Sequence, residues 1–375
     1  MIVRRAGVSP VEGVLPSFAS IIVTNYNYGR FLARAIESAF AQTYPKLEVI
    51  VVDDASQDNS RDVIASFGDR IVPVLQPQNM GQGAAFNAGF QASRGDIVFF
   101  LDADDYLYPS ALEAAVAEIE RGAALVQFRL DLVDGDGRWI DTIPAQEVSF
   151  DRGNVVAKLI ERGRFECMVT SGNAFRRDVL QALMPVPEAA FRISADGYLV
   201  TLAPLYGNIA ALDTPLGAYT LHGGNQWAGA AATPEAQAAR LRRSILHDFD
   251  RYDALRRRAR MHNIEIAQQP GMADPLHLAA RLGSIVLQPE AHPCQGDSRA
   301  MLGMRGARAT LAANVRLANR AVLAVWFLAA GLLPRAWAEK VVVWRLFPAS
   351  RPAGLQCMLA RVKGFMRSLQ FRREA

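Results

Sequence analysis

The chain has little cysteine. Only Cys167, Cys294 and Cys357 occur in 375 residues. Their wide spacing fits neither a disulfide framework nor a structural zinc site. Long apolar runs are missing too. The longest, AVLAVWFLAAGLLP over residues 321–334, has 14 residues, short of the roughly 20 that a spanning helix needs. The opening stretch, MIVRRAGVSPVEG, holds no apolar signal segment. Together these absences predict a reducing, cytoplasmic setting. Charge of one sign is scarce overall, since 41 Lys and Arg stand against 37 Asp and Glu for a net +4. No nucleic-acid partner is expected from such a balance. An ATPase phosphate loop, GxxxxGK followed by Ser or Thr, is absent, and GQGAAFNAG does not follow the GxGxxG order of a dinucleotide site. Internal repeats and low-complexity tracts are lacking.

What is present is an alternation. Residues 19–24, 47–52 and 71–75 and the segment DIVFFLDADD read as buried strands, and the segments between them carry helical periodicity. The clearest helix is YGRFLARAIESAFAQ, with Phe31, Leu32, Ala35, Ile36 and Ala39 on one side. Further along, 124–140 reads as a hairpin turning at Asp-Gly-Asp-Gly, and 151–163 and 195–207 read as helices. IAALDTPLGAYTLHGGN reads as a final strand pair. This pattern predicts an α/β fold with a mostly parallel central sheet covered on both faces. The alternating part closes near residue 228, giving a domain over 1–228. Residues 229–375, rich in Ala and Arg, read as a helical, basic C-terminal region.

In such sheets ligands bind beyond the carboxyl ends of the strands. Thr24, Asn25, Asp53, Asp54, Asp102 and Asp104 all fall at such ends. FFLDADDYLYP places Asp102, Asp104 and Asp105 directly behind an apolar run, and three carboxylates so close need a counter-charge. One of them can cap the helix that follows. Asp102 and Asp104 together suit Mg²⁺ or Mn²⁺, which prefer oxygen ligands shared with phosphates. Asp53 and Asp54 suit a base imide or a ribose, or a structural turn. Asp196, in RISADGYLV, is a helix cap or a general base. His222, in a Gly-rich segment, is a third metal ligand or a phosphate contact. Asn225 and Trp227 line an acceptor site or pack. His247, His262, His277 and His292 share no ligand spacing, and the cysteines read as incidental.

The ordered motifs SIIVTNYNYGRFLARAIESAFAQTYPKLEVIVVDDASQDNS, NMGQGAAFNAGFQASRGDIVFFLDADD, SGNAFRRDVL, ADGYL and LGAYTLHGGN resemble those of family 2 glycosyltransferases, inverting enzymes with the GT-A fold. The resemblance covers residues 18 to about 227. It implies a nucleotide-sugar donor, most often UDP-linked, and a Mn²⁺ or Mg²⁺ cofactor. Carried over by position, Thr24 and Tyr26 stand at the nucleotide entrance, and Asp53 or Asp54 contacts base or ribose. Asn79, Gly81 and Asn87 shape the loop and helix near the donor. Asp102 and Asp104 are the Asp-x-Asp pair, Asp104 being the direct metal ligand. Asp196 matches the catalytic base, while Ala195 and Thr220 replace a Glu and an Arg of the family pattern.

The implied acceptor is a glycan, a lipid-linked molecule or another hydroxyl compound, in polysaccharide or glycan synthesis. Two rivals stay open at this level: a sugar-phosphate nucleotidyltransferase and a non-catalytic nucleotide-sugar binding module. For the basic tail, three readings stay open: plain packing, a homo-oligomer contact and peripheral contact with an anionic membrane on its cytoplasmic face.

Overall fold

The computed structural model describes residues 17–146, 148–225, 233–266, 271–312 and 317–346, with 351, 352, 354 and 356. The strands are β1 (Ala19–Asn25), β2 (Leu47–Asp53), β3 (Val72–Leu75), β4 (Ile97–Asp102), β5 (Tyr106–Leu107), β6 (Leu125–Asp134), β7 (Trp139–Ile143), β8 (Asn173–Arg176) and β9 (Ile209–Leu221). They form one sheet in the order β3-β2-β1-β4-β8-β6-β9-β5, with β7 on β6. β1 to β4 run parallel, β8 is antiparallel to both neighbours, and β6 and β9 are parallel again. The helices beside the sheet are α1 (Gly29–Phe40), α2 (Ser60–Ser66), α3 (Gln82–Ala92), α4 (Ala111–Glu120), α5 (Val156–Arg162), α6 (Arg177–Leu183) and α7 (Ala195–Leu202). After them come α8 (Pro234–Met261), α9 (Pro275–Leu287), α10 (Arg299–Ala312), α11 (Leu317–Leu332) and α12 (Arg335–Leu346).

Strand alternation builds two cores at once. Ile21 and Val23 of β1 enter one cluster with α1 and α4, while Ile22 between them enters a second cluster with α3, α6 and α7. Val49 and Val51 oppose Ile50 and Val52 in the same way on β2. A strand with both faces covered needs an unbroken apolar run, which is what these segments have.

Some boundaries differ from the sequence reading. The expected final strand pair is one 13-residue strand, β9, whose register against β6 shifts around Arg129. Pro215 sits at that irregularity, where a residue without an N–H costs no ladder bond. The helix expected to 207 ends as α-helix at Leu202 and tightens into a 3-10 turn over Ala203–Tyr206 containing Pro204.

The helical region does not begin as a separate body. Ala254 and Leu255 of α8 are part of the second core, and Arg251 and His247 lie beside Gly197 of α7. A third core, centred on Leu278, Leu282, Leu302, Phe327 and Val342, holds α9 to α12 together. Gly303 and Gly331 let α10 and α11 approach closely, since a Cβ on either would meet backbone of the other at 2.8–2.9 Å.

Candidate active site

The parallel strands deliver their carboxyl ends to one rim, where a cleft of about 310 Å³ opens. Thr24, Asn25, Tyr26, Asp54, Asn79, Gly81, Asp102, Asp104, Asp196 and Asn225, expected from sequence, line it. Tyr28, Gln82, Thr170, Arg192 and Ser194 line it as well. Trp227 lies outside the described residues.

Asp102, at the tip of β4, receives the Thr24 hydroxyl at 3.4 Å and the Gln82 side-chain amide at 3.2 Å. Burial, then the charges of Asp104 and Asp196, push its carboxyl up to about 7. Asp104 Oδ2 meets His222 Nε2 at 2.9 Å. His222 Nδ1 accepts the Gly224 N–H at 3.0 Å, so its ring proton belongs on Nε2, facing Asp104. The ring is wedged against Tyr28 and Phe31. Asp105 is spent on structure: the Ser171 hydroxyl and the Thr220 N–H bond its two oxygens at 2.6 and 2.9 Å. Its carboxyl is raised well above the usual range by burial and by Asp104 and Asp102.

Among the described residues, no Arg or Lys side chain is ion-paired with these three carboxylates. A positive charge does lie close. Arg34 of α1 donates to the Thr220 hydroxyl at 2.8 Å and to the Asp104 carbonyl at 3.2 Å. It thus occupies the neighbourhood where the resemblance would place an arginine at position 220.

Asp196 sits in the first turn of α7, entered through Ser194 at φ 60°. Ala195, the residue before it, is fully buried, and its N–H bonds to Gln82 Oε1 at 2.9 Å. Burial raises the Asp196 carboxyl, opposed by hydrogen bonds from Gly197 and Thr170. The Gln82 amide also donates to the Thr170 hydroxyl at 3.4 Å. Gln82 therefore ties the end of β4 to the start of α7. Sequence reasoning passed over Gln82 and Thr170; Gln82 was inside the quoted NMGQGAAFNAG, but a lone amide carries no signature.

The other expected donor residues divide. Asp54 accepts the N–H groups of Met80 and Gly81 at 2.8 and 2.7 Å, which fixes the loop entering α3. Burial leaves its carboxyl raised despite those bonds. Asn79 is held by Arg192 through its backbone and side-chain oxygens. Gly81 has φ +90°, and a Cβ there would stand 2.5 Å from the Arg192 carbonyl oxygen. Two of the expected donor residues do not line the cleft. Asp53 is fully buried, bonded to Asn25 at 2.9 Å and to Arg61 at 3.1 Å, so it organises the turn instead of facing the cleft. Asn87 is turned away from the cleft, its amide bonded to the Val186 backbone and Glu188.

The histidines and cysteines are not all isolated. His292, Cys294 and Asp297 bring ligand atoms within 4.8 Å of one another, a group that could hold a metal. The spacing test from sequence overlooked it because it mixes three residue types. Its members are already paired, however. Arg281 grips both Asp297 oxygens, and His292 Nε2 meets Asp297 Oδ2 at 2.9 Å. The oxygen-rich pair Asp102 and Asp104 fits Mg²⁺ or Mn²⁺ better. Both carboxylates line one cleft, and burial together with the charges of Asp104 and Asp196 raises that of Asp102, a setting in which a divalent cation with oxygen ligands would be favoured.

The sequence model described as Glycosyl transferase family 2 matches residues 20–184. An uncharacterised glycosyltransferase of Nostoc sp. (strain PCC 7120) is 40% identical over 234 residues, covering 60% of this chain and 71% of that protein. The succinoglycan biosynthesis protein ExoO of Rhizobium meliloti is 38% identical over 121 residues, covering 32% of this chain and 35% of that protein. Several further relatives, from Rickettsia species, are matched over about a third of their length or less. Among solved structures, S. aureus TarS in complex with UDP has 17% identity and a TM-score of 0.48, covering 88% of this chain and 91% of that one. The mannosyltransferase PcManGT from Pyrobaculum calidifontis, in complex with GDP-Man and Mn²⁺, has 19% identity and a TM-score of 0.46, covering 89% and 88%.

Proposed function

The chain belongs to glycosyltransferase family 2 and uses a nucleoside-diphosphate sugar donor, and we propose that it transfers the sugar to an acceptor hydroxyl with inversion. The observation that carries this reading is the meeting of Asp196 with Asp102 and Asp104 in one cleft, with Gln82 bonded to Asp102 and to the Ala195 N–H. A nucleoside diphosphate lies across the ends of β1 and β2, with Tyr26 and Asp54 at its base and ribose and the Asn79–Gly81 loop along it. The donor is UDP-linked in this reading. Asp102 and Asp104 would hold Mn²⁺ or Mg²⁺; that ion, when bound, neutralises charge growing on the departing diphosphate.

The residues of the chain do the rest. His222 and Asn225 hold Asp104 in place, at 2.9 and 3.4 Å. Asp196 accepts the proton of the acceptor hydroxyl as its oxygen attacks the anomeric carbon from the face opposite the diphosphate. A carboxylate lifted by burial is a stronger base than one in water, and its Gly197 and Thr170 bonds keep the ionised form available. His222 would join the metal directly only by giving up the Nε2 proton it directs at Asp104. Ala195 offers no acceptor contact, so Asn225 and the Val169–Thr170 turn form the acceptor side. The kinship with ExoO suits a role in polysaccharide synthesis.

The family argues against a nucleotidyltransferase, and Asp196 in the cleft supports catalysis over a non-catalytic module. Asp196→Asn tests the reading. Nucleoside-diphosphate release in the presence of an acceptor should fall about 10²–10⁴-fold, with donor affinity unchanged by titration calorimetry. Loss of donor binding with no change in turnover would make Asp196 a structural cap. Chelation should abolish turnover by the wild type, and Mn²⁺ should restore it. Turnover indifferent to chelator would remove the ion from the reading.

A further inference from the structure

We propose that the solvent-facing side of α11 is a docking surface for an anionic lipid bilayer. This inference stands apart from the transfer chemistry. α11 packs one side, through Ala324, Phe327 and Ala330, into the core of the helical region. Its other side carries Val325 at 66%, Leu328 at 40% and Leu332 at 57% exposure, with Ala321 and Val322 also open to solvent. These positions recur at helical spacing and make one apolar stripe more than two turns long. No charged side chain interrupts residues 321–334, and the one hydrogen-bonding side chain, Trp326, is half-buried and donates to the Val341 carbonyl at 3.1 Å. A stripe of large aliphatic side chains on water is the mark of a contact face. Trp337, 54% exposed, follows at the start of α12, with Lys340 Nζ 4.8 Å from its ring centre.

Charge identifies the occupant. From residue 298 to the end there are fourteen Arg and Lys against Glu339 and Glu374, a net +12, so the preceding residues carry −8. Among the described residues from 298 to 346, seven Arg and Lys stand against Glu339 alone. Two copies brought together through this face would set like charge against like. An anionic bilayer supplies the opposite charge and an apolar interior at once. A nucleic acid would answer the charge but leave the aliphatic stripe in water. The geometry suits a helix lying in the interface. Sixteen residues span about 24 Å, short of the hydrocarbon core, and no helix among the described residues is long and apolar enough to cross it. Tryptophan beside a cation at the end of the stripe suits the headgroup level.

The test uses the full chain and vesicles of phosphatidylcholine alone or mixed with phosphatidylglycerol. The wild type should sediment with the anionic vesicles, remain in solution with the neutral ones, and lose most of its binding in high salt. Val325→Asp with Leu332→Asp, both at exposed positions, should lower partitioning at least about tenfold with the melting temperature and nucleoside-diphosphate release unchanged. Should that pair disturb folding, Leu328→Gln with Leu332→Gln gives the same reading more gently. No sedimentation with anionic vesicles overturns the proposal, as does equal sedimentation of wild type and variants. A dimer seen by light scattering that the Asp pair dissolves would give the face to a second copy. Binding to a duplex oligonucleotide with indifference to vesicles would give the charge to nucleic acid. Either result overturns the bilayer.

Discussion

At the scale of single residues, the candidate site turns on side chains that do no chemistry themselves. Gln82 spends its amide hydrogen on Asp102 and its oxygen on the Ala195 N–H. It therefore links Asp102 to the start of α7, which carries Asp196, the proposed base. Gln82→Met keeps the size and removes both bonds. It should lower turnover about 10–100-fold, the usual cost of losing a group that orients a metal ligand, with a melting curve close to wild type. Asp196 makes a prediction in pH. Its carboxyl is raised by burial, and the base works only when ionised. The acid limb of kcat/KM should lie above the ordinary aspartate value of about 3.9, with activity rising as pH rises through it. In the Asp196→Asn enzyme that limb should vanish.

At the scale of elements, the cleft depends on two crossings of chain. The loop entering α3 is stitched to the segment before α7. Gln82 N–H donates to the Arg192 carbonyl at 2.8 Å, and Arg192 reaches back to Asn79. Gly81 makes that approach feasible by its left-handed φ and its missing Cβ. Gly81→Ala combines backbone strain with a backbone clash, so we expect a loss of about 1–3 kcal/mol by denaturant titration and weaker donor binding by calorimetry. The second crossing is α7 on α8. Gly197 has His247 Nε2 at 2.9 Å and the Arg251 side chain at 3.3 Å from where its Cβ would be. The first turn of α7, which carries Asp196, is thus seated on a helix from the C-terminal region.

For the whole molecule, that seating has a consequence. A buried knot of charge fastens the helical region to the α/β part. Arg164 pairs with Asp248 at 2.9 Å and Asp274 at 2.6 Å, and fully buried His277 meets Asp248 at 2.8 Å. Burial raises the Asp248 carboxyl, but Arg164, Arg251 and His277 outweigh it and hold it well below the usual range. A depressed folded pKa stabilises fully above the unfolded value of about 3.9 and is lost as pH falls below it. Stability should therefore drop on acidification, and Asp248→Asn should remove that part of the slope. Arg164→Met, which strands two carboxylates, should cost about 3–5 kcal/mol at neutral pH. A chain cut after residue 225 loses Ala254 and Leu255 from the second core and the support under α7. It should be recovered as aggregate, or soluble without activity.

The sequence by itself determined the sheet and its rim. Apolar runs such as IIV, VIVV and IVFFL suit strands covered on both faces, and each is followed by polar groups at the strand's carboxyl end. That periodicity is local, so it reads directly off the chain, and Asp102, Asp104 and Asp54 reached the cleft as their positions implied. Which carboxylate faces the cleft was not local. Asp53 and Asp54 are neighbours, yet Asp53, the last residue of β2, pairs with Arg61, while Asp54, past the strand end, accepts the N–H groups of the Met80 loop. Gln82, Thr170, Arg192 and Arg34 gain their meaning only from partners distant in sequence. So does the aliphatic stripe of α11, because an apolar helix looks the same in sequence whether its outer side meets protein or solvent. Such contacts belong to tertiary packing, which decides what each neutral amide, hydroxyl or apolar face is set against.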